Sequence, residues 1–275
     1  MKNFPQELVD QVIEELFVLV GRRNAYSRPP KRRGYRTDSL RFVVPTHGIS
    51  SYTLVSKAWV DTTQKHHFST LSLDRDALDK WCTRIAPDPA GISRHVRKLV
   101  LNGLKRSDFT ASKKHLLAFT RVESLMIRDC SGISELPPWL SLMGSCLVEL
   151  RMRGSQASSH TITSLLATLP LLQDVDIKNF TTQGGADKTK PTTPSRIPFF
   201  EGANRLTLRP DMDGLRHHEG ALDWVPPSAR FSQLDIDRWC LMYRPDLVNR
   251  WFASSCATLT NLTIGGEPSS ASPPE

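Results

Sequence analysis

A chain of 275 residues with 39% hydrophobic content can bury a large core, as two globular domains or as one elongated array. The formal net charge of +8 is local: Phe17 to Ser50 holds eight basic residues and one acidic residue, which leaves +1 for all the rest. The composition therefore speaks against nucleic acid as a partner of the whole surface.

In chain order, the first expected element is a helix. Pro5 suits its first position, Glu7 suits its positive end, and Leu8, Val9, Val12, Ile13 and Leu16 make an apolar stripe. The apolar run Phe17 to Val20 is too short to span a bilayer, and Glu7 and Asp10 interrupt any signal-peptide core. A soluble protein of the cytoplasm, the nucleus or both is expected, with no membrane partner. A loop rich in Arg, Pro, Gly and Ser follows, and its Lys31-Arg32-Arg33 run suits either a solvated loop or a nuclear-import signal. A second amphipathic helix is expected from Tyr52 towards His66, marked by Tyr52, Leu54, Val55, Ala58 and Trp59.

From Phe68 onwards a different pattern recurs: apolar, two variable residues, aliphatic, one variable residue, apolar. Its middle residues are Leu71, Leu99, Leu125, Leu150, Val175, Leu206, Leu234 and Leu262, at intervals of 25 to 31 residues. Such a period marks stacked units, each adding one strand to a parallel sheet, with a helix-like interval between strands. Those intervals include Asp76 to Ile85, Trp139 to Met143, Ile162 to Leu169 and Leu247 to Phe252. The longest interval contains Thr181 to Pro198, which predicts an inserted loop. No polar capping unit precedes the Gly- and Pro-rich tail, so the end of the array is expected to be open.

Two segments carry a resemblance. Phe4-Pro5-Gln6-Glu7-Leu8-Val9-Asp10-Gln11-Val12-Ile13 and Tyr52-Thr53-Leu54-Val55-Ser56-Lys57-Ala58-Trp59 resemble the two halves of an F-box. The whole chain is similar to the F-box proteins with irregular leucine-rich repeats abundant in basidiomycete fungi. Phe4 stands where that family usually has Leu, and Phe17 to Ser50 replaces a shorter link. Long surface insertions add only about 0.6 kcal/mol of closure entropy per doubling, so both halves are expected to fold together.

The resemblance implies an α/β chain: a short helical F-box-like module at residues 1–67, interrupted by the basic loop at about 21–48. After it comes an irregular leucine-rich-repeat solenoid at 68–264, with one parallel strand per unit and a loop insertion at about 181–198, then a disordered tail at 265–275. It also implies a substrate-recognition subunit of a Skp–cullin–F-box ubiquitin ligase, docking on a Skp-type adaptor and through it on a cullin–RING ligase. Pro5, Leu8, Val12, Ile13, Leu54 and Val55 would make that contact. The bland alternative is that these side chains only fill a small helical core. A non-ligase interaction scaffold with a degenerate F-box is the other reading of the chain.

Five cysteines without C-x-x-C spacing (Cys82, Cys130, Cys146, Cys240, Cys256) argue for reduced thiols, with neither disulfides nor a zinc site. Val122-x-x-Leu125-x-Ile127-x-x-Cys130 is the best match to the leucine-rich consensus, which makes Cys130 a buried thiol or a weak hydrogen-bonding group of its loop. The sequence has no G-x-S-x-G elbow, no phosphate-binding G-x-x-x-x-G-K-[ST] loop and no H-E-x-x-H. Asp211-Met212-Asp213-Gly214 lacks the flanking ligands of a calcium loop, and the adjacent pairs His66-His67 and His217-His218 diverge on any regular element. No catalysis, cofactor or metal is expected.

One column of residues suggests a binding surface. The residue after each strand's last aliphatic is, in turn, Asp74, Asn102, Arg128, Arg153, Lys178, Arg209, Asp237 and Gly265. Four cations on successive rungs repel unless answered. Glu149, Asp174 and Asp176 in adjoining columns answer them, or else Arg128, Arg151, Arg153, Lys178 and Arg209 recruit an acidic or phosphorylated segment of a target protein.

Overall fold

The computed structural model describes residues 68–84, 93–131, 133, 140, 145–178, 181–182, 197–202, 204–209, 222 and 224–265. The expected F-box-like helices, with Pro5, Leu8, Val12, Ile13, Leu54 and Val55, lie outside the described residues, as do the basic loop, the Asp211 to Gly214 segment and the tail beyond Gly265.

The strands are β1 (Thr70–Leu73), β2 (Lys98–Asn102), β3 (Ser124–Arg128), β4 (Glu149–Arg153), β5 (Gln156–Ala157), β6 (Asp174–Lys178), β7 (Thr181–Thr182), β8 (Asn204–Arg209), β9 (Phe231–Asp237) and β10 (Asn261–Gly265). Eight of them form one sheet in the order β1-β2-β3-β4-β6-β8-β9-β10, with every neighbouring pair parallel. Each of the eight recurring sequence segments supplies one strand, and each strand lies beside its successor. The protein is thus α/β, with one parallel strand per unit.

The reason lies in alternation. Leu99, Leu101, Leu125, Ile127, Leu150, Met152, Val175, Ile177, Leu206, Leu208, Leu234 and Ile236 all point to one face and are buried. Each such side chain contributes about 1.5–3 kcal/mol, so a one-residue slip of any strand would turn its whole set into solvent. The registers keep the repeats in step: Leu99 pairs with Leu125, Leu125 with Leu150, Leu150 with Val175, and Val175 with Leu206. The pairing of β8 with β9 shifts once, at Asn204/Arg205.

The helices α1 (Arg75–Arg84), α2 (Arg106–Leu116), α3 (Ser159–Ala167), α4 (Pro198–Glu201), α5 (Arg238–Tyr243) and α6 (Pro245–Ser255) supply the other side of the core. Leu78 and Trp81 of α1, Phe109 and Leu116 of α2, Ile162, Leu165 and Leu166 of α3, and Val248 and Trp251 of α6 are buried. Trp81 packs on Phe119 with ring centroids 5.2 Å apart. Phe200, Trp224, Phe231 and Trp251 continue that packing towards β9. The Ser255 hydroxyl lies among them and accepts from the Phe231 amide at 3.0 Å, which satisfies a buried donor.

Two details depart from expectation. Thr181 to Pro198 was expected to be loop throughout, but Thr181 and Thr182 pair in parallel with Gln156 and Ala157, and Pro198 opens α4. Gly154 follows β4 in a left-handed conformation, and the chain after β4 runs beside the chain after β6. At β10, Leu262 and Ile264 occupy the core-facing positions yet are exposed.

Candidate functional site

The face opposite the core carries three parallel columns. The outermost is the expected one: Asn102 pairs with Arg128, Arg128 with Arg153, Arg153 with Lys178, Lys178 with Arg209, and Asp237 with Gly265. Four cations therefore occupy four consecutive rungs. Arg151 stands one column inward, beside Met126 and Asp176.

The two acidic members of the column do something else. Asp74 accepts from the Ala77 amide at 2.8 Å in the first turn of α1, and Asp237 accepts from the Trp239 amide at 3.0 Å as the N-cap of α5. A carboxylate that caps a helix is anchored to backbone donors.

The cations are answered from beneath. Asp176 pairs with Lys178 at 3.2 Å and with Arg153 at 3.5 Å, and Arg209 reaches Asp235 at 3.1 Å. Arg151 pairs with Glu149, which also accepts from the Ser124 hydroxyl at 2.5 Å, and Arg205 lies 3.8 Å from Asp174. Of the three acids expected to answer the column, Asp176 does so, while Glu149 and Asp174 pair with Arg151 and Arg205 outside it. Asp235 is not among the expected counter-charges, although it sits two residues before a column position just as Asp176 does. On β3, β4, β6 and β8 together, six cations face three carboxylates, leaving +3.

Burial and charge move two of these carboxyls in opposite directions. Burial works to raise Glu149, but the Ser124 hydroxyl and the Arg151 guanidinium outweigh it and hold Glu149 below the ordinary glutamate value. For Asp174 burial prevails, with the neighbouring Glu149 adding to it, and Arg205 does not offset them, so this carboxyl is raised.

Just beyond the column the chain turns through a left-handed residue in three consecutive units: Gly103 (φ 65°), Asp129 (φ 51°) and Gly154 (φ 59°). Their amides extend the ladder, donating to the carbonyls of Arg128, Arg153 and Lys178 at 2.9, 2.8 and 3.1 Å. The next residue in each unit, Leu104, Cys130 or Ser155, is buried. Cys130 Sγ donates to the Arg128 carbonyl at 3.1 Å, and Ser155 Oγ donates to the Arg153 carbonyl at the same distance. Cys130 is therefore both a buried thiol and a hydrogen-bonding group of its turn. Burial pushes it up to about 11, far from a reactive thiolate. Ser155 plays the same part and is missed in the sequence, because Ser falls outside the Asn-or-Cys consensus.

A second feature lies at the far end of the sheet. Trp239 and Tyr243 stack with centroids 6.1 Å apart, Arg238 covers the Trp239 ring at 5.0 Å, and Met242 is exposed. A cleft of about 370 Å³ opens beside them, lined by Val225, Pro227, Tyr243, Arg244, Pro245, Asp246, Leu247 and Arg250. The i, i+4 spacing of the two aromatics is the sequence signal for it.

Among the described residues no cluster of His, Cys, Asp and Glu is arranged to hold a metal ion, and no helix is long and apolar enough to cross a membrane. Comparison with known proteins finds no family model, no curated protein and no solved structure that matches this chain.

Proposed function

We propose that this chain is the substrate-recognition subunit of a Skp–cullin–F-box ubiquitin ligase and that its sheet is a leucine-rich-repeat solenoid presenting a target. The observation that carries the target-binding half is the outward face of β3 to β8, where ordered rungs set four cations in one line. A line of like charges on an ordered sheet face can complement a partner of opposite charge. The ligase half rests on the resemblance of Pro5, Leu8, Val12, Ile13, Leu54 and Val55 to adaptor-binding positions. Bound to an adaptor, the chain would raise a target's effective concentration near the ubiquitin-charged enzyme and would itself catalyse nothing.

The test is co-expression with a Skp-type adaptor followed by pull-down. The unmodified chain is expected to copurify with the adaptor, and the variant with Leu8→Asp and Val12→Asp is expected not to. Absence of the adaptor from the unmodified pull-down would favour the second reading, a non-ligase scaffold whose F-box is broken by the Phe17 to Ser50 insert. Both readings use the same face.

A further inference from the structure

On the outward face the carboxylates lie low and the cations lie over them. The Asp176 side chain is 11% exposed, against 34% for Arg153 and 28% for Lys178, its two partners. Asp235 stands in the same relation to Arg209. The cause is reach: an Asp side chain ends close to the backbone, whereas Arg and Lys carry their charge past it towards water. A partner approaching the sheet meets guanidinium and ammonium groups first.

We propose that this column receives a partner protein's α-helix bearing an acidic stripe of one carboxylate per turn, an inference that rests on the target-capture half of the reading above. Spacing selects the helix. Successive strands lie about 4.8 Å apart, so the second, third and fourth cations stand about 4.8, 9.6 and 14.4 Å from the first. Carboxylates at i, i+3, i+7 and i+10 of a helix share one face and rise about 4.5, 10.5 and 15 Å. The two series agree to about 1 Å at every rung. An extended segment repeats its same-side residues only every ~6.8 Å and falls out of step at the second rung. Nucleic acid fits less well, because carboxylates interleave with the cations and no outward position of β3, β4, β6 or β8 is aromatic.

The probe is a fluorescein-labelled, stapled helical peptide with Glu at i, i+3, i+7 and i+10 in an Ala/Gln background. Its binding to the full chain is read by fluorescence anisotropy at low salt. Three comparison probes accompany it: a peptide of equal composition with its Glu residues spread around the helix, the striped sequence broken by two prolines, and an oligothymidine of equal charge. The striped helix is expected to bind about tenfold tighter than each, and R153E/K178E to lose about tenfold. Equal or better binding by any comparison probe overturns the proposal, and so does indifference to the charge reversals.

Because the reversals set two new carboxylates beside Asp176, folding is checked by thermal melting. If that double variant melts early, R153Q/K178Q replaces it and is expected to bind several-fold more weakly than the parent; parental binding by this pair also overturns the proposal. Retention of the adaptor with no peptide selectivity defeats this inference alone. Peptide selectivity without adaptor capture defeats the ligase reading alone.

Discussion

The carboxylate of Asp129 stands where the side chain of any residue other than glycine at position 154 would begin. A Cβ built on Gly154 collides with Asp129 Oδ1 and comes within 3.2 Å of its Cγ. The two residues occupy equivalent left-handed turns in adjacent units, with φ of 51° and 59°. The Asp129 side chain reaches over the Cα of Gly154, so a side chain at 154 requires Asp129 to move. Gly103 provides the contrast, for its φ is 65° but nothing lies within 4 Å of its missing Cβ.

We predict that Gly103→Ala costs about 1 kcal/mol, the left-handed backbone penalty alone. Gly154→Ala should cost about 2 kcal/mol, because the collision adds to that penalty. Adding Asp129→Gly to Gly154→Ala should return the loss to the level of Gly103→Ala. Urea unfolding of the parent and the three variants checks this, and equal losses for the two single Ala variants would mean that Asp129 simply rotates aside.

Asp176 is shared by Arg153 and Lys178 on neighbouring strands. Replacing it by Asn leaves two adjacent cations without their common carboxylate. A loss of about 1 kcal/mol is expected, at the lower end for a buried acid because the cations are partly solvated. Lys178→Gln in the same chain should recover part of it, read as the coupling in a double-mutant cycle. High salt should shrink the deficit too, and a D176N variant as stable as its parent would show that the pairs contribute nothing.

The two shifted carboxyls predict opposite pH effects. Glu149 is held below its unfolded value of about 4.3, so the unfolded chain binds the extra proton between the two values. Its contribution is complete above that unfolded value and is lost as pH falls through the folded one. Asp174 is raised, so the folded chain binds the extra proton, and its penalty is complete above the folded value and relieved below about 3.9. Glu149→Gln should therefore be less stable than the parent at neutral pH, with a deficit that closes in acid. Asp174→Asn should be at least as stable at neutral pH, with any gain vanishing in acid. Thermal melts across that range decide, and parallel profiles for the two variants would contradict the assignment.

Thiol chemistry should divide the cysteines by burial. Burial raises Cys130 to about 11 and Cys240 to about 12, whereas Cys256 is exposed. A neutral thiol reagent at about pH 8 should modify Cys256 in the folded protein and reach Cys130 and Cys240 only in denaturant. Mass mapping of the labelled sites is the readout, and early labelling of Cys130 would mean that its turn opens.

The sheet was legible because its cause is local. An aliphatic pair two positions apart, recurring every 25 to 31 residues, leaves a strand one buried face and one neighbour on each side. Strand order, outward face and the line Arg128, Arg153, Lys178, Arg209 all follow from that repetition. Which carboxylate answers which cation follows only in part: Glu149 with Arg151 and Asp176 with Lys178 stand two apart on one strand, whereas the other pairs depend on reach between neighbouring strands. Register put Asp176 within reach of Arg153, set Asp174 beside Arg205, and brought in Asp235 for Arg209. Helix capping ties the carboxylates of Asp74 and Asp237 to backbone amides. The alternation of side chains is a property of one strand and can be read along the chain. The cross-strand ion pairs, the β5–β7 ladder and the crowding of Gly154 by Asp129 exist only between strands, where the stacking distance sets them.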